Sequence, residues 1–279
     1  MSGAVPVLSR IFKIESLSRD ANLFNTMHSA SSNPAGLKDR VVLITGGTGA
    51  LGSAVTQTLL QAGARVATTY IIDAEFTRLQ ESVAADSRGA DDAPVGDALT
   101  GHKVDLTNED AVAALIDTIV SKHGRLDGVV NIAGGFVFAP LVETTSAQFD
   151  LMWNLNFRSL FLTSRAAYPH LKAGGGGTIV SIGARPGLQG SAGLGAYAAS
   201  KAAVINFTQT LADEGRADGI RAFSILPSII DTPANRAAMP DADFAAWVTP
   251  ESLARVIRFV LEDESRDLSG ATLPVYGRA

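Results

Sequence analysis

Two side chains four residues apart carry the clearest chemical signal in this sequence. Tyr197 and Lys201 lie in the run YAASK, and a spacing of four places both on one face of a helix, one turn apart. A phenol has a pKa of roughly 10, too high for ready proton exchange at neutral pH. A nearby ammonium stabilises the phenolate and lowers that pKa, so the pair can act as a general acid. Taken alone, a Tyr–Lys pair on a helix more often lies at the surface and has no chemical role.

A glycine-rich segment offers a site for a phosphate group. The run TGGTGALG occupies residues 45–52, directly after the β-branched run VVLIT and before a segment with helical spacing. Its glycines let the chain turn tightly, and backbone N–H groups at the start of the helix then face an anion. A plain structural turn is the alternative. The context favours a dinucleotide pyrophosphate, held by Gly46, Thr48, Gly49, Leu51 and Gly52.

Residues that follow two further predicted strands complete the expected nucleotide site. Asp105 ends the third strand, with Leu106 after it, and its carboxylate could accept a hydrogen bond from an adenine amino group. The alternative role of Asp105 is to cap the next helix. The fourth strand ends in NIAG, where Asn131, Ala133 and Gly134 let a ribose pass close to the backbone. A sharp turn that needs glycine is the alternative there.

These residues belong to a chain in which strands and helices alternate. Short apolar and β-branched runs predict strands at 41–45, 65–70, 102–104, 128–132, 178–182, 220–226 and 271–275. Helical spacing predicts helices at 50–61, 74–85, 109–123, 146–171, 196–214 and 250–261, with Ser146 as a cap. The loop at 86–100 is expected to be mobile. This order predicts an α/β fold, a single doubly wound Rossmann-type domain with a mostly parallel sheet.

The length of the chain fits one such domain. Its 279 residues, 46% of them hydrophobic, can enclose a sizeable core. We expect a disordered tail at 1–38 and a cofactor-binding Rossmann domain, including the substrate pocket, at 39–279. The tail could instead form a short amphipathic helix. Alternatively, the translation start could have been assigned too far upstream, since Met27 shortly precedes the first strand.

Charge and composition exclude several classes of partner. A net charge of −5 argues against nucleic acid as the main partner. The apolar runs are too short to span a membrane. Cysteine is absent, which removes disulfides, thiolate metal ligands and cysteine nucleophiles, and no metal site is expected. We expect a cytoplasmic protein that acts on a small molecule.

The motifs together resemble the short-chain dehydrogenase/reductase family over residues 39–279. They are TGGTGALG, VDLT at 104–107, NIAG at 131–134 and YAASK at 197–201. The resemblance implies an enzyme that binds NAD(P)(H), with Tyr197 as proton donor and Lys201 holding the nicotinamide ribose. It also implies that Asn156 anchors a proton-relay water.

Further cofactor contacts are implied for a segment near the carboxyl terminus. Pro227 and Ile229 fall in this segment, and Thr232 is implied to meet the nicotinamide carboxamide or the phosphates. The family has glycine after that proline, whereas this chain has Ser228.

Position 184 departs from the usual family pattern. The family places Ser 13 residues before its Tyr, where the hydroxyl hydrogen-bonds a substrate carbonyl, and this chain has Ala184. Losing such a donor costs on the order of a hundredfold to a thousandfold in rate. The same Ala, with AGGF at 133–136 and DTPANRAAMPDADFAAW at 231–247, resembles the quinonoid dihydropteridine reductase branch. That branch reduces a conjugated ring, which implies a pocket that includes Ala184, Phe136 and Trp247. Phe136 could instead be a loop residue that covers the core.

We therefore expect NAD(P)H-dependent reduction of a small planar conjugated or carbonyl substrate. The alternatives are a ketone or 3-oxoacyl reductase that uses another donor, and a catalytically silent cofactor-binding sensor. The dihydropteridine reductase branch lacks the relay Asn, which is present here as Asn156. It also ends its second strand with an Asp for NADH, where this chain has Tyr70 and then Ile71. The preference between NAD and NADP therefore stays open.

Two helices carry more apolar side chains than one sheet face should need. The predicted helix at 146–171 includes Phe149, Trp153, Phe157 and Phe161, and the helix at 196–214 is also apolar. The resemblance implies that these helices pair with their symmetry mates, which predicts a homodimer or homotetramer. The alternative is that all of them face the core of the monomer.

Overall fold

The computed structural model describes residues 36–86 and 98–279. Most of the predicted tail and of the predicted mobile loop lie outside these residues. The described chain from Gly36 onward belongs to one compact unit. Leu37 is fully buried, and its N–H donates to the Ala62 carbonyl at 3.0 Å. The packed domain therefore includes residues just before the predicted boundary at 39.

The described residues form one parallel sheet of seven strands. The strands are β1 (Val41–Thr45), β2 (Arg65–Tyr70), β3 (Leu99–Lys103), β4 (Gly128–Asn131), β5 (Gly177–Ile182), β6 (Ile220–Pro227) and β7 (Thr272–Val275). Their order is β3-β2-β1-β4-β5-β6-β7, and every neighbouring pair is parallel. The predicted fold class is confirmed. The third strand begins at Leu99, earlier than predicted.

Helices cover both faces of the sheet. They are α1 (Ala50–Gln61), α2 (Asp73–Asp86), α3 (Glu109–His123), α4 (Ser146–Trp153), α5 (Ser159–Ala173), α6 (Gly195–Glu214), α7 (Pro233–Ala238) and α8 (Pro250–Leu261). Apolar residues of α1, α2 and α8 pack in a core on one face, and those of α3, α5 and α6 pack on the other. Burial on both sides explains why a central strand such as β1, with the sequence VVLIT, does not alternate between apolar and polar residues.

The helix predicted at 146–171 is interrupted. A π-helical turn, Asn154–Arg158, separates α4 from α5. The cap of α4 is Thr145 rather than Ser146: its hydroxyl accepts from the Gln148 N–H at 3.2 Å, and the Gln148 side chain accepts from the Thr145 N–H at 2.9 Å. Such π turns are rare and occur often at functional sites. This one carries the buried Asn156.

The strand order reverses between β1 and β4. The chain runs outward from β1 through β2 to β3 and then returns to place β4 on the other side of β1. Loops that leave adjacent carboxyl ends in opposite directions leave a crevice between them. In this protein, the crevice lies between the glycine-rich segment and the NIAG segment.

Candidate functional site

A cleft of about 400 Å³ lies beyond the carboxyl ends of β1 to β4. Its walls come from the glycine-rich segment, the end of β2, the connection from β3 to α3 and the end of β4. Most of the predicted cofactor contacts line it: Gly46, Thr48, Gly49, Leu51, Gly52, Tyr70, Asp105, Leu106, Ala133 and Gly134. The strand-end residues that the sequence placed in separate motifs thus share one surface.

The glycine-rich loop needs glycine at different positions for different structural reasons. Gly46 has φ +68°, and its N–H donates to Thr69 Oγ1 at 3.0 Å. A Cβ on Gly52 would overlap the Gly46 carbonyl oxygen, so α1 can start this close only with glycine there. A Cβ on Gly49 would meet only that same carbonyl, at 3.6 Å. Gly46 and Gly52 therefore shape the turn, whereas Gly49 keeps space open in the cleft.

The start of α1 fits a pyrophosphate. Within the described chain, no side chain caps this helix and no acidic residue lies in its first turn. The first N–H groups of a helix lack partners inside it, and the helix dipole makes this end positive. Together with the space at Gly49, these groups fit the phosphates of a dinucleotide.

Asp105 lines the cleft and does not cap the following helix. Its carboxylate accepts from the Thr107 N–H at 2.9 Å and the Thr107 hydroxyl at 2.7 Å, which lowers the pKa of Asp105. The cap of α3 is Asn108, whose side chain accepts from the Ala111 N–H at 3.0 Å. Asp105 therefore retains an ionised carboxylate in the lining of the cleft.

Six predicted cofactor contacts lie outside the lining of this cleft, Tyr197 and Lys201 among them. The Asn131 side chain is buried and donates to Ser164 Oγ on α5 at 3.2 Å, so it points into the layer between sheet and helix. Pro227 ends β6, Ile229 and Thr232 follow it, and none of the three lines the described cleft. The Thr232 hydroxyl caps α7 by accepting from the Asn235 N–H at 3.2 Å.

Tyr197 and Lys201 lie in the first two turns of α6, next to the end of β5. The buried Lys201 Nζ donates to the Ile182 carbonyl at 2.8 Å and lies 6.0 Å from the centre of the Tyr197 ring. Burial lowers the pKa of Lys201 to about 8. Burial also raises the pKa of Tyr197 to about 12. The expected lowering of the tyrosine pKa is therefore not found, because desolvation of the phenolate dominates.

Asn156 connects the NIAG loop to α6. Its Oδ1 accepts from the Gly135 N–H at 2.9 Å, and its Nδ2 donates to the Gly135 carbonyl and to Ser200 Oγ, each at 3.1 Å. The Ser200 hydroxyl in turn donates to the Tyr197 carbonyl at 2.7 Å. A Cβ on Gly134 would lie 2.5 Å from Asn156 Oδ1, which explains the glycine. The amide of Asn156 thus holds the loop and the helix together.

The three residues predicted for the substrate pocket differ in accessibility. Phe136 is 62% exposed and packs edge-on against Tyr197, with ring centres 5.0 Å apart, so it does not cover the core. Ala184 is buried just after β5, in extended backbone. Trp247 is also buried and packs on Phe244, with ring centres 4.8 Å apart. Phe136 is thus the member of this set that both contacts Tyr197 and faces solvent.

Sequence reasoning missed several residues of the site, among them three that bond to its predicted members. Thr69 holds the Gly46 N–H, Ser200 links Asn156 to α6, and Glu75 accepts from the Thr48 hydroxyl at 3.0 Å while lining the cleft. Ser200 stands inside the YAASK motif and could have been identified from it. Glu75 reaches the cleft from α2, which no strand-end pattern indicates.

Two other kinds of site were sought in the described residues. Within 36–86 and 98–279, no three His, Asp or Glu side chains are grouped so as to hold a metal ion. None of the helices in these ranges is long and apolar enough to cross a membrane.

Comparisons with known proteins agree with the fold and the motifs. A family model described as short chain dehydrogenase matches residues 40–243. The chain is 32% identical over 251 residues to a cyclopentanol dehydrogenase of Comamonas testosteroni, covering 86% of this chain and 97% of the relative. It is 29% identical over 249 residues to the 3-oxoacyl-(acyl-carrier-protein) reductase FabG of Thermotoga maritima, covering 86% and 98%. A short-chain type dehydrogenase/reductase from Mycobacterium ulcerans superimposes with a TM-score of 0.80 at 29% identity, covering 87% of this chain and 90% of that one. The chain therefore belongs to the short-chain dehydrogenase family, whose members are NAD(P)-dependent oxidoreductases.

Proposed function

We propose that this oxidoreductase uses NAD(P)H to reduce a small planar conjugated substrate with a ring of the dihydropterin type. The observation that carries the proposal is the buried methyl group of Ala184, in the position where most of the family carries a carbonyl-binding hydroxyl. The segment at 231–247 supports it through its resemblance to the dihydropteridine reductase branch. Phe136 adds an exposed aromatic face beside Tyr197 on which a flat ring can stack.

The chemistry explains why such a substrate suits this site. Reduction of a ketone concentrates negative charge on one oxygen, and donors aimed at that oxygen stabilise the transition state. A conjugated imine-like ring spreads the charge over several atoms. One acid can then suffice, and Tyr197 supplies it.

The roles of the chain's own groups follow from their positions. When bound, reduced nicotinamide supplies the hydride. The Tyr197 hydroxyl gives its proton to the substrate atom that becomes electron-rich and recovers a proton from solvent. Lys201 holds the nicotinamide ribose. Asn156 holds the NIAG loop against α6 through its hydrogen bonds to Gly135 and Ser200.

A second candidate is reduction of a ketone or oxidation of the matching alcohol. It is favoured by the relatives, one named as a cyclopentanol dehydrogenase and one as a 3-oxoacyl reductase. On this account another donor replaces the missing hydroxyl. Ser191 bears the one hydroxyl between Ile182 and Tyr197, and it is exposed. Membership of a family of oxidoreductases weighs against the third alternative, a catalytically silent sensor.

Placing a hydroxyl at position 184 distinguishes the two candidate functions. Rates of NADH and NADPH oxidation would be measured with quinonoid dihydropterin and with a panel of cyclic ketones, for the wild type and for Ala184→Ser. We expect Ala184→Ser to raise ketone reduction by about tenfold or more and to change the pterin rate little. Ala192→Ser, an exposed position in the same loop, is the matched control. Fast ketone reduction by the wild type, with no reaction of the pterin, would reject the first candidate.

We also infer that the chain forms a homodimer or homotetramer through an aromatic stripe, defined as Phe149, Trp153, Phe157, Phe161 and Phe207. Successive rings along the stripe lie 5.0 to 6.5 Å apart. Phe149 is 47% exposed and Trp153 is 38% exposed. Phe157, Phe161 and Phe207 are half-buried, so the exposed apolar end of the stripe is Phe149 and Trp153. Exposed aromatic side chains of this kind are typical of an interface, and a second copy of the chain presents the same stripe.

A further inference from the structure

The cleft carries negative charge at its nucleotide end. Among the described residues that line it, the charged ones are Glu75 and Asp105. Lys103 at the end of β3 is not in the lining and is paired with Asp73, with Nζ 2.6 Å from the carboxylate. A phosphate placed at this end of the cleft would therefore meet carboxylates and no adjacent cation from the lining residues.

Glu75 is hydrogen-bonded to the glycine-rich segment at residues 45–52. Its Oε2 accepts from the Thr48 hydroxyl at 3.0 Å, so the carboxylate lies at the junction of the loop and the end of β2. The adenosine ribose of a dinucleotide connects the pyrophosphate to the adenine, so with the pyrophosphate at this loop its hydroxyls would lie near the junction. Thr48 engages Oε2, and the other carboxylate oxygen, which has two lone pairs, can accept hydrogen bonds from both ribose hydroxyls.

Packing around the first turn of α2 keeps Glu75 in place. The next residue, Phe76, stacks on Tyr70 with ring centres 4.9 Å apart and planes within 3°. The Phe76 ring lies directly against Gly101 of β3, where any Cβ would overlap it. Tyr70 occupies the strand-end position at which an acid is expected in NAD-dependent relatives. In this protein Tyr70 instead packs against Phe76 of α2 and so helps to hold the helix that carries Glu75, five residues later in the chain.

We propose that Glu75 makes this protein prefer NAD(H) over NADP(H). The inference rests on the proposed oxidoreductase function and deepens it by naming the cofactor. The carboxylate accepts hydrogen bonds from the 2′- and 3′-hydroxyls of the adenosine ribose in NAD(H). In NADP(H) a phosphate replaces the 2′-hydroxyl, which removes a donor and brings a like charge close to the carboxylate.

Equilibrium binding tests the proposal without relying on turnover. Dissociation constants for NADH and NADPH would be measured by isothermal titration calorimetry with the full chain, as wild type, Glu75→Gln and Glu81→Gln. Glu75→Gln keeps the shape and an oxygen for the Thr48 hydroxyl while removing the charge. Glu81→Gln removes the same charge from an exposed position on α2.

The wild type is expected to bind NADH at least about tenfold more tightly than NADPH, and Glu75→Gln to narrow that ratio about tenfold. Glu81→Gln should leave the ratio unchanged. Tighter binding of NADPH by the wild type, or an unchanged ratio in Glu75→Gln, would overturn the role of Glu75 and leave the oxidoreductase proposal intact. Binding of neither nucleotide by the folded wild type would overturn both. Thermal melting of the three proteins without nucleotide identifies any variant that has lost its fold.

Discussion

The Lys201 ammonium lies 6.0 Å from the centre of the Tyr197 ring and gives its hydrogen bond to the Ile182 carbonyl. Burial lowers the pKa of Lys201 to about 8 and raises the pKa of Tyr197 to about 12. At neutral pH the phenol is therefore protonated and the lysine is largely charged. In this form Tyr197 holds the proton that reduction requires, but its raised pKa makes it a weaker acid than the sequence predicted.

The buried lysine predicts a pH dependence of stability. Because its pKa is about 8 in the folded protein and 10.5 as the ordinary value, the unfolded chain binds more protons between these limits. The free energy of unfolding should therefore gain up to about 1.4 kcal/mol per pH unit from this group as the pH rises through the window. Tyr197 acts in the opposite direction, but only above its ordinary pKa of 10.0.

Urea unfolding at several pH values checks this prediction. The wild type should gain stability relative to Lys201→Met between about pH 8 and pH 9.5. Lys38→Met, at an exposed position, should follow the wild type throughout. A constant difference between the wild type and Lys201→Met across this range would show that the lysine pKa is not lowered by burial.

Two glycines of the phosphate loop should respond differently to the same substitution. Gly52→Ala places a methyl group against the Gly46 carbonyl and should lower the melting temperature by several degrees. Gly49→Ala has room for its methyl group in the fold but narrows the cleft, so it should keep the melting temperature and weaken NAD(P)H binding. Melting curves and nucleotide titrations test both. Full nucleotide affinity in Gly49→Val would argue against this loop as the pyrophosphate site.

Replacement of Asn156 should harm both stability and turnover. Asn156→Ala removes the hydrogen bonds to Gly135 and Ser200 and leaves the N–H and carbonyl of Gly135 without these partners. We expect the free energy of unfolding to fall by about 2–4 kcal/mol. Amide exchange at Gly135 should accelerate in parallel. Asn206→Ala on the exposed side of α6 is the control, and equal effects of the two substitutions would contradict the structural role of Asn156.

The aromatic stripe predicts association at micromolar concentration. Multi-angle light scattering should give the mass of a dimer or tetramer for the wild type. Introducing charge with Trp153→Glu should reduce that mass, since a buried unpaired carboxylate is costly. Leu188→Glu, at a site 57% exposed and outside the stripe, should not. A monomeric wild type would mean that the stripe serves another purpose.

The parts of this protein that local pattern determines could be predicted from the sequence. The β-branched run before TGGTGALG becomes β1 within its predicted limits, and α1 and α3 also match. Asn156 was placed correctly in a long helical segment, but the π turn around it was not predicted. Within that turn Asn156 makes tertiary hydrogen bonds to Gly135 and Ser200, and such contacts leave no periodic signal in the chain.

Side-chain direction limited the prediction of the cofactor contacts. Asn131 ends β4 as expected, yet its side chain points toward α5, because successive residues of a strand face opposite sides of the sheet. Glu75 was not predicted, since its approach to Thr48 depends on how α2 packs against β3 through Phe76. Motif spacing identifies where strands end, whereas these two orientations depend on packing.

The most direct test of the account is the turnover of Tyr197→Phe. Single-turnover rates of NAD(P)H oxidation with the preferred substrate would be measured alongside nucleotide affinity, with Tyr168→Phe as the control. Tyr168 bonds Asp218 and the Glu214 carbonyl and lies outside the cleft lining, so its loss should leave the rate unchanged. Tyr197→Phe is predicted to keep near-normal nucleotide affinity and to lower the rate by about a hundredfold or more. Full activity in Tyr197→Phe would contradict the assignment of Tyr197 as the proton donor.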